Sequence, residues 1–263
     1  MRRDSDPLSA DLTEVLQFLT DLLASGKSYS AINIHRSMLS RTLGSIEGVQ
    51  IGAHPLVVRL MKGCYHKNPP KPKYNDMWDP SQVVEFINSL GENRHLTLSV
   101  LASKLVTMIA LATLMRASEI AAIGYRSVVF SERGVVFSLD RLRKAQRNGP
   151  LQSFSILNDP DPILCPVLAL KEFVERTNQF RRETDEGKLF VALIAPHRPV
   201  SASTVSRWIK SFLQKAGINT RCFGAHSTRG AAASKAVSDG VPVEAILRAG
   251  SWSKETTFNR FYN

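Results

Sequence analysis

The amino-acid sequence predicts a mainly α-helical protein of two domains, the second of which contains a small antiparallel β-sheet (an α+β fold). Three observations support this prediction. Apolar residues recur at helical spacing along most of the 263 residues. A stretch rich in proline and lysine interrupts them at 66–79, and between 128 and 157 the pattern changes to short strands joined by turn residues.

The first predicted domain covers residues 1–65 and consists of short helices. Its first helix is expected from Asp11 to Ala24, where leucine and valine recur at helical spacing and Gly26 stands at the expected C-terminal stop. A second helix is predicted over 30–43 and a shorter third one over 55–61. Helices of this kind bury one small apolar core between them.

The boundary between the domains is predicted at 66–79. Three prolines and three lysines in this segment favour an extended, semi-rigid linker without regular secondary structure. Residues 1–78 contain 10 Lys or Arg against 7 Asp or Glu, and residues 79–263 contain 24 against 16. Both sides of the linker are therefore basic.

The second predicted domain, 80–263, begins at Asp79 and Pro80, a pair typical of a helix N-cap and first turn. That helix is expected to end near Leu90. The remaining elements are predicted by the same periodicity rules. Helices are expected over 97–114, 166–178, 202–216, 228–238, 242–249 and at the end of the chain, and strands over 128–130, 135–139 and 151–157.

The composition narrows the function classes. Lys and Arg outnumber Asp and Glu by 34 to 23, a formal charge of +11, which favours a polyanionic partner, although a solvated surface is the simpler explanation of charge alone. No apolar run reaches the roughly 18 residues of a membrane span, and the N-terminus lacks a secretion signal, so an intracellular protein is expected. Three widely spaced cysteines argue against disulfides and a structural metal, and no cofactor is expected.

Two short motifs point to an anionic ligand. Arg116 follows a long apolar helix, with Glu119 three residues later in a position to brace it. His226 and Arg229 share a face at a helix start, where they offer one titratable group and one fixed cation to the same ligand, most naturally a phosphate. In isolation, each motif is more simply explained as an ordinary ion pair or a capping histidine.

Six residues, taken in order, resemble the catalytic set of the tyrosine recombinases, the phage integrase family that includes the Cre and Xer enzymes. They are Arg116, Lys144, His226, Arg229, Trp252 and Tyr262. Three local sequences add to the resemblance: 115–120 is similar to the family's arginine motif, 165–170 to the helix after its third strand, and 250–252 to its Gly-His/Trp turn. The form with Trp252 is most similar to recombinases of eukaryotic mobile elements such as DIRS-like retrotransposons.

The resemblance implies a two-domain clamp around duplex DNA, with a helical core-binding domain, a proline-rich linker and a catalytic domain. Arg116 and Arg229 would hold the scissile phosphate and stabilise the negative charge of the transition state. Glu119 would support Arg116. The indole N–H of Trp252 would donate one further hydrogen bond.

The resemblance also implies the covalent step. Tyr262 would attack the phosphate and leave a 3′-phosphotyrosine bond, and of five tyrosines it alone follows the HxxR and Trp elements. Lys144, the only lysine between Lys104 and Lys171, would protonate the departing 5′ oxygen, and His226 would assist proton transfer at the nucleophile. Because the covalent bond conserves the phosphodiester energy, the reaction needs neither ATP nor a metal.

Further DNA contacts are expected from basic residues in the first domain, in the linker, in the connection that carries Lys144, and on the polar face of helix 202–216. These residues are Arg36, Arg41, Lys71, Lys73, Arg143, Arg147, Arg207 and Lys210. Such contacts position a protein on DNA without reading its bases. The expected partners are double-stranded DNA with specific inverted or terminal repeats, and copies of the chain itself, as a homodimer on one site and a homotetramer in the synaptic complex.

Two features depart from the family pattern. Tyr262 lies ten residues after Trp252, one more than the commonest spacing, so Phe261 occupies the usual register. The sequence also ends at Asn263. The subunit-docking segment that often follows the tyrosine is therefore missing, is replaced by the tyrosine helix itself, or belongs to a longer protein.

The sequence thus favours a site-specific recombinase over two alternatives. A type IB topoisomerase-like enzyme shares the arginine, lysine and tyrosine chemistry, but the separate helical first domain argues against it. A DNA-binding module derived from a recombinase would bind without cleaving. The expected location is the nucleus for a eukaryotic mobile element and the bacterial cytoplasm or nucleoid otherwise.

Overall fold

The chain folds into two compact units, Met1–Lys73 and Tyr74–Asn263. The computed structural model describes residues 8–46, 48–70, 76–143, 146, 148–181 and 187–252. The boundary between the units falls within the predicted linker. In the described residues, no helix is both long and apolar enough to cross a membrane.

The first unit contains three helices and a two-stranded antiparallel sheet. These elements are α1 (Leu12–Ala24), α2 (Tyr29–Thr42), β1 (Ser45–Ile46), β2 (Val49–Gln50) and α3 (Pro55–Lys67). The first two helices lie within a residue or two of the predicted bounds. Helix α3 continues past the predicted end at 61 because Met61 and Cys64 extend its buried face, so residues 66 and 67, assigned to the linker by composition, are helical. The sheet was not predicted.

The start of α1 is set by a reciprocal pair of hydrogen bonds. The Asp11 carboxylate accepts the Glu14 backbone N–H at 2.8 Å, and the Glu14 side chain accepts the Asp11 N–H at 3.1 Å. Together they satisfy two N–H groups near the helix start, which have no partner within the helix. The core of this unit consists of Val15, Leu19, Ile32, Ile51, Val57, Met61 and Cys64.

The second unit is helical around a three-stranded antiparallel sheet, as predicted. Its helices are α4 (Ser81–Ser89), α5 (Leu98–Thr113), α6 (Ala117–Ile120), α7 (Pro166–Thr177), α8 (Ala202–Lys215), α9 (Ser227–Ser238) and α10 (Val243–Gly250). Its strands are β3 (Val129–Phe130), β4 (Gly134–Ser138) and β5 (Ser153–Leu157), in the order β3-β4-β5. The predicted elements agree within two residues at each end, α6 is additional, and the predicted last helix lies outside the described residues.

Helix α5 is the centre of the second unit. It packs against α7, α8 and α9, and most of its side chains are buried, including Leu101, Leu105 and Ile109. A helix that is apolar nearly all round is stable only inside such a core. From the end of α5 the chain enters the region where the candidate site residues meet.

The small sheet depends on a glycine at the start of β4. Strand β4 pairs with β3 and β5, with Phe137 opposite Phe154. A Cβ at Gly134 would collide with the backbone of Ile156 on β5. Only glycine permits this close approach, which lets the start of β4 pair with the end of β5.

Candidate active site

The break between α5 and α6 presents Arg116. Helix α5 ends at Leu114, which adopts a left-handed conformation with φ 55°, at a cost of about 1–2 kcal/mol for a residue with a side chain. The turn brings the Leu114 carbonyl oxygen to Arg229, whose Nη1 donates a hydrogen bond to it. Arg116 then stands at the start of α6, with 24% of its side chain exposed.

Arg229 joins three segments of the unit. It lies in the first turn of α9 and is only 1% exposed. Its Nη2 donates to the Gly250 carbonyl oxygen at 2.7 Å, and its guanidinium lies 4.5 Å from the centroid of the Trp252 ring. With the bond to Leu114, these contacts hold the end of α5, the start of α9 and the end of α10 together. The Trp252 ring thus covers one face of the guanidinium.

The turn that carries Trp252 depends on a left-handed residue, Ser251, and on the small size of Gly250. Ser251 caps α10 in the left-handed region with φ 49°. The Trp252 backbone N–H returns to the Leu247 carbonyl oxygen at 3.0 Å, and its ring folds back over Gly250, where an added Cβ would collide with it. Glycine at 250 therefore sets the position of the indole.

Glu119 is the buried anion of the site and is 5% exposed. Its Oε2 accepts the backbone N–H of Arg116 at 2.8 Å, and its Oε1 accepts Arg116 Nη1 at 2.7 Å. Burial would raise the pKa of this carboxyl, but hydrogen bonds from Arg143 and from the Arg116 backbone, together with the two arginine charges, lower it below its usual value. Glu119 therefore stays ionised and keeps Arg116 in place.

Arg143 is buried, in contrast to the DNA contact predicted for it. Its side chain is 1% exposed and donates Nε and Nη2 to the two carboxylate oxygens of Glu119 at 2.8 and 2.9 Å. Its Nη1 donates to Gln152 Oε1 at 3.0 Å and to the Ser251 hydroxyl. Sequence reasoning missed this role, because the contacts join segments 24 and 108 residues apart and no local motif connects them.

His226 lies immediately before α9 and is exposed, whereas Arg229 three residues later is buried. The two residues are joined through the backbone, where the Arg229 N–H donates to the His226 carbonyl oxygen at 3.3 Å. The shared helix start thus places an accessible titratable ring beside a buried cation.

Apart from Arg143, the predicted DNA-contacting residues that the structure describes lie on helices α2 and α8. Arg207 and Lys210 are exposed on α8, opposite the buried side formed by Val205 and Ile209. In the first unit, α2 carries a half-buried Arg36 and an exposed Arg41. Five predicted site residues lie outside the described residues: Lys71, Lys73, Lys144, Arg147 and Tyr262.

Metal ligands are not grouped in the part of the chain that the structure describes. There, no cluster of three or more His, Cys, Asp or Glu side chains could hold an ion. The three cysteines, Cys64, Cys165 and Cys222, are free.

The sequence matches a family and a curated relative. A model described as "Phage integrase family" matches residues 79–263. An integrase/recombinase XerD homolog from Selenomonas ruminantium is 24% identical over 181 residues, which are 63% of this chain and 52% of that protein. The chain thus spans about half the length of this relative. The suggested likeness to eukaryotic mobile elements stays a prediction.

Solved structures share the fold. The integrase of transposon Tn1549, in complex with circular intermediate DNA, superimposes with a TM-score of 0.61 at 15% identity over 100% of this chain and 85% of that one. The XerH site-specific recombinase, in a post-cleavage complex with a palindromic difH substrate, gives a TM-score of 0.63 at 13% identity over 96% and 68% of the two chains.

Proposed function

Because this chain belongs to the phage integrase family, we propose that it is a site-specific DNA recombinase that cuts and rejoins duplex DNA through a 3′-phosphotyrosine intermediate. One observation supports this most directly. Arg116, Glu119, His226, Arg229 and Trp252 lie on segments far apart in the sequence, yet backbone and side-chain hydrogen bonds bring those segments together at the end of α5.

Arg116 and Arg229 are proposed to neutralise the negative charge of the scissile phosphate. A phosphodiester repels a nucleophile because it is anionic, so the enzyme must neutralise its non-bridging oxygens. Arg116 commits Nη1 to Glu119, and with 24% of its side chain exposed its other donors would be available to a phosphate. Arg229 supplies a second permanent charge beside Trp252, whose indole is a hydrogen-bond donor only.

The covalent chemistry is assigned to residues outside the described ranges and to His226. The Tyr262 hydroxyl attacks the phosphorus, a new O–P bond forms, and the bond to the 5′ oxygen breaks. Lys144 gives that oxygen its proton, and the exposed His226 ring takes part in proton transfer at the tyrosine. Attack by a 5′ hydroxyl of another strand reverses these steps and reseals the DNA without ATP or metal.

Duplex DNA is the proposed partner, and two solved structures of the same fold support it: the transposon integrase and XerH are both in complex with DNA. The formal charge of +11 suits a polyanion, and the exposed Arg207 and Lys210 on α8 would contact its phosphates. Two copies on one inverted-repeat site and four in the synaptic complex are proposed. The enzyme would act wherever the host DNA is, in the bacterial nucleoid or the eukaryotic nucleus.

A covalent-adduct assay tests the proposal. The protein is incubated with a nicked suicide duplex that carries the terminal repeats flanking its own gene, from which the cleaved end cannot be resealed. Wild type should form a protein–DNA adduct that survives denaturant, and Tyr262→Phe should form none. Salt-sensitive binding without an adduct would identify a module that binds DNA but no longer cleaves it.

A further inference from the structure

Arg143 is a buried cation with four polar contacts to three different segments. A buried guanidinium is tolerated only when its donors find acceptors, because the charge has lost its water. Here the acceptors are the Glu119 carboxylate on α6, Gln152 ahead of β5, and the Ser251 hydroxyl at the end of α10. The Phe154 ring lies 5.3 Å from the guanidinium carbon. Gln152 ends the same β4–β5 connection that carries Arg143, whereas Glu119 and Ser251 are 24 and 108 residues away in the sequence.

The contact with Glu119 is made at two points. Arg143 Nε lies 2.8 Å from Oε1 and Nη2 lies 2.9 Å from Oε2, and such a two-point contact restricts rotation of the carboxylate. The same Oε1 accepts Arg116 Nη1 at 2.7 Å. The direction of the Arg116 guanidinium therefore depends on a carboxylate that Arg143 orients.

The other end of Arg143 reaches the second half of the site. Its Nη1 donates to Ser251, the residue between Gly250, whose carbonyl accepts from Arg229, and Trp252, whose ring covers Arg229. One buried side chain thus links the segment of Arg116 to the segment that packs on Arg229. Such a link fixes the spacing of two groups that must act on one phosphate.

We propose that Arg143 is a positioning residue, which holds Glu119 and Ser251 so that the Arg116 guanidinium faces the scissile phosphate. This inference rests on the proposed recombinase function. It assigns Arg143 no contact with DNA. It predicts that removing the Arg143 side chain causes the same kind of activity defect as removing the Arg116 side chain, but a smaller one.

The test compares two substrates that differ in charge. One is the nicked suicide duplex, and the other carries a methylphosphonate at the scissile position, which lacks one negative charge and so depends less on an arginine. Arg143→Gln should slow adduct formation about 100-fold on the phosphodiester, the loss typical of a small misplacement, and much less on the methylphosphonate. Arg116→Ala should show the same pattern with a larger loss on the phosphodiester.

Two further variants separate positioning from folding. Arg143→Lys keeps the charge but cannot make the two-point contact, so it should remain impaired and show the same substrate preference. Arg181→Gln is the matched control, because Arg181 is also partly enclosed and binds Thr177 and Leu189 rather than the site residues. It should leave the ratio of rates on the two substrates unchanged.

Several results would overturn the inference. Equal losses on both substrates would mean that Arg143 only stabilises the fold, and full activity of Arg143→Lys would mean that charge alone suffices. DNA binding would also be measured at several salt concentrations. If Arg143→Gln reduced the steepness of the plot of log binding constant against log salt concentration by about one, Arg143 would contact a DNA phosphate. Absence of a wild-type adduct would instead refute the proposed function, and the inference with it.

Discussion

Two regions of the second unit each bury a cation, one beside a neutral amide and the other against a carboxylate. Lys104 on α5 is fully buried, and its Nζ donates to the Asn93 side chain at 2.8 Å. Arg143 is nearly as buried but contacts both oxygens of Glu119. Burial lowers the pKa of Lys104 to about 8, and the charge of Asp161 opposes this only in part. In the second region it is the carboxyl pKa of Glu119 that falls.

The difference shows how this fold preserves charge where the proposed chemistry needs it. A buried amine beside a neutral amide loses its proton more readily, because its partners compensate only in part for the lost hydration. A guanidinium on a carboxylate retains its charge and fixes its partner. The region around Arg143 therefore holds a rigid, permanently charged arrangement, and the region around Lys104 holds one that responds to pH.

Removal of Glu119 should give the largest effect. Glu119→Ala leaves Arg116 and Arg143 without their shared carboxylate, so the free energy of unfolding should fall by about 3–5 kcal/mol. Chemical denaturation at pH 7 measures this, with Glu85→Ala on the exposed side of α4 as the control. A loss below about 1 kcal/mol, the range of surface pairs, would contradict the comparison.

The same carboxylate gives an acid-sensitive contribution. Because the pKa of Glu119 is lower in the folded protein than in the unfolded chain, the stability it adds is fully present above its unfolded pKa of roughly 4.3. It is lost as the pH falls through the folded pKa. The difference in free energy of unfolding between wild type and Glu119→Gln should therefore shrink as the pH falls from roughly 4.3 through the folded pKa.

Lys104 should give the next largest effect, with the same sign of pH dependence but in an alkaline range. Its folded pKa of about 8 lies below the ordinary 10.5, so between these values the unfolded chain binds more protons and stability rises with pH. Relative to Lys104→Met, wild type should gain roughly 3 kcal/mol across that window. Thermal or urea unfolding at several pH values measures the gain, and Lys215→Met, an exposed lysine on α8, should show none.

A substitution at Gly250 should have a smaller effect on stability and a clear effect on the site. Gly250→Ala places a methyl group against the Trp252 ring, which should cost about 1–3 kcal/mol and displace the indole from Arg229. The control is Gly63→Ala in α3, where the added methyl meets no atom within 4 Å and should stabilise by about 0.5–1 kcal/mol. Unchanged tryptophan fluorescence and adduct yield in Gly250→Ala would contradict the assigned role of the turn.

Most secondary structure was predictable from the sequence because each element repeats its buried face. The predictions were wrong where that signal is weak. Helix α3 continues beyond its predicted end because its buried face extends to Cys64. Helix α6 is a single turn, which is too short to show a repeating pattern of apolar residues. The left-handed Leu114 ends α5 without the glycine or proline that usually marks such a break.

The candidate site was likewise only partly predictable from the sequence. The order of Arg116, His226, Arg229 and Trp252 is readable along the chain, and their assigned roles are predictions that await the adduct assay. The partner of Arg143 was not readable, since Arg143 looks like any basic residue in a polar connection. Its contact with Glu119 exists only because the fold brings the connection after β4 to α6.

The sequence by itself determined the two-unit plan, the helices and strands, the basic charge and the motif order, because these depend on local spacing and composition. Only the tertiary structure decided which cations are buried and what holds them. Arg143 and Lys104 are both basic residues in the sequence, and packing gives one a carboxylate and the other an amide. Burial and counter-ions depend on segments far apart in the chain, so no local pattern encodes them.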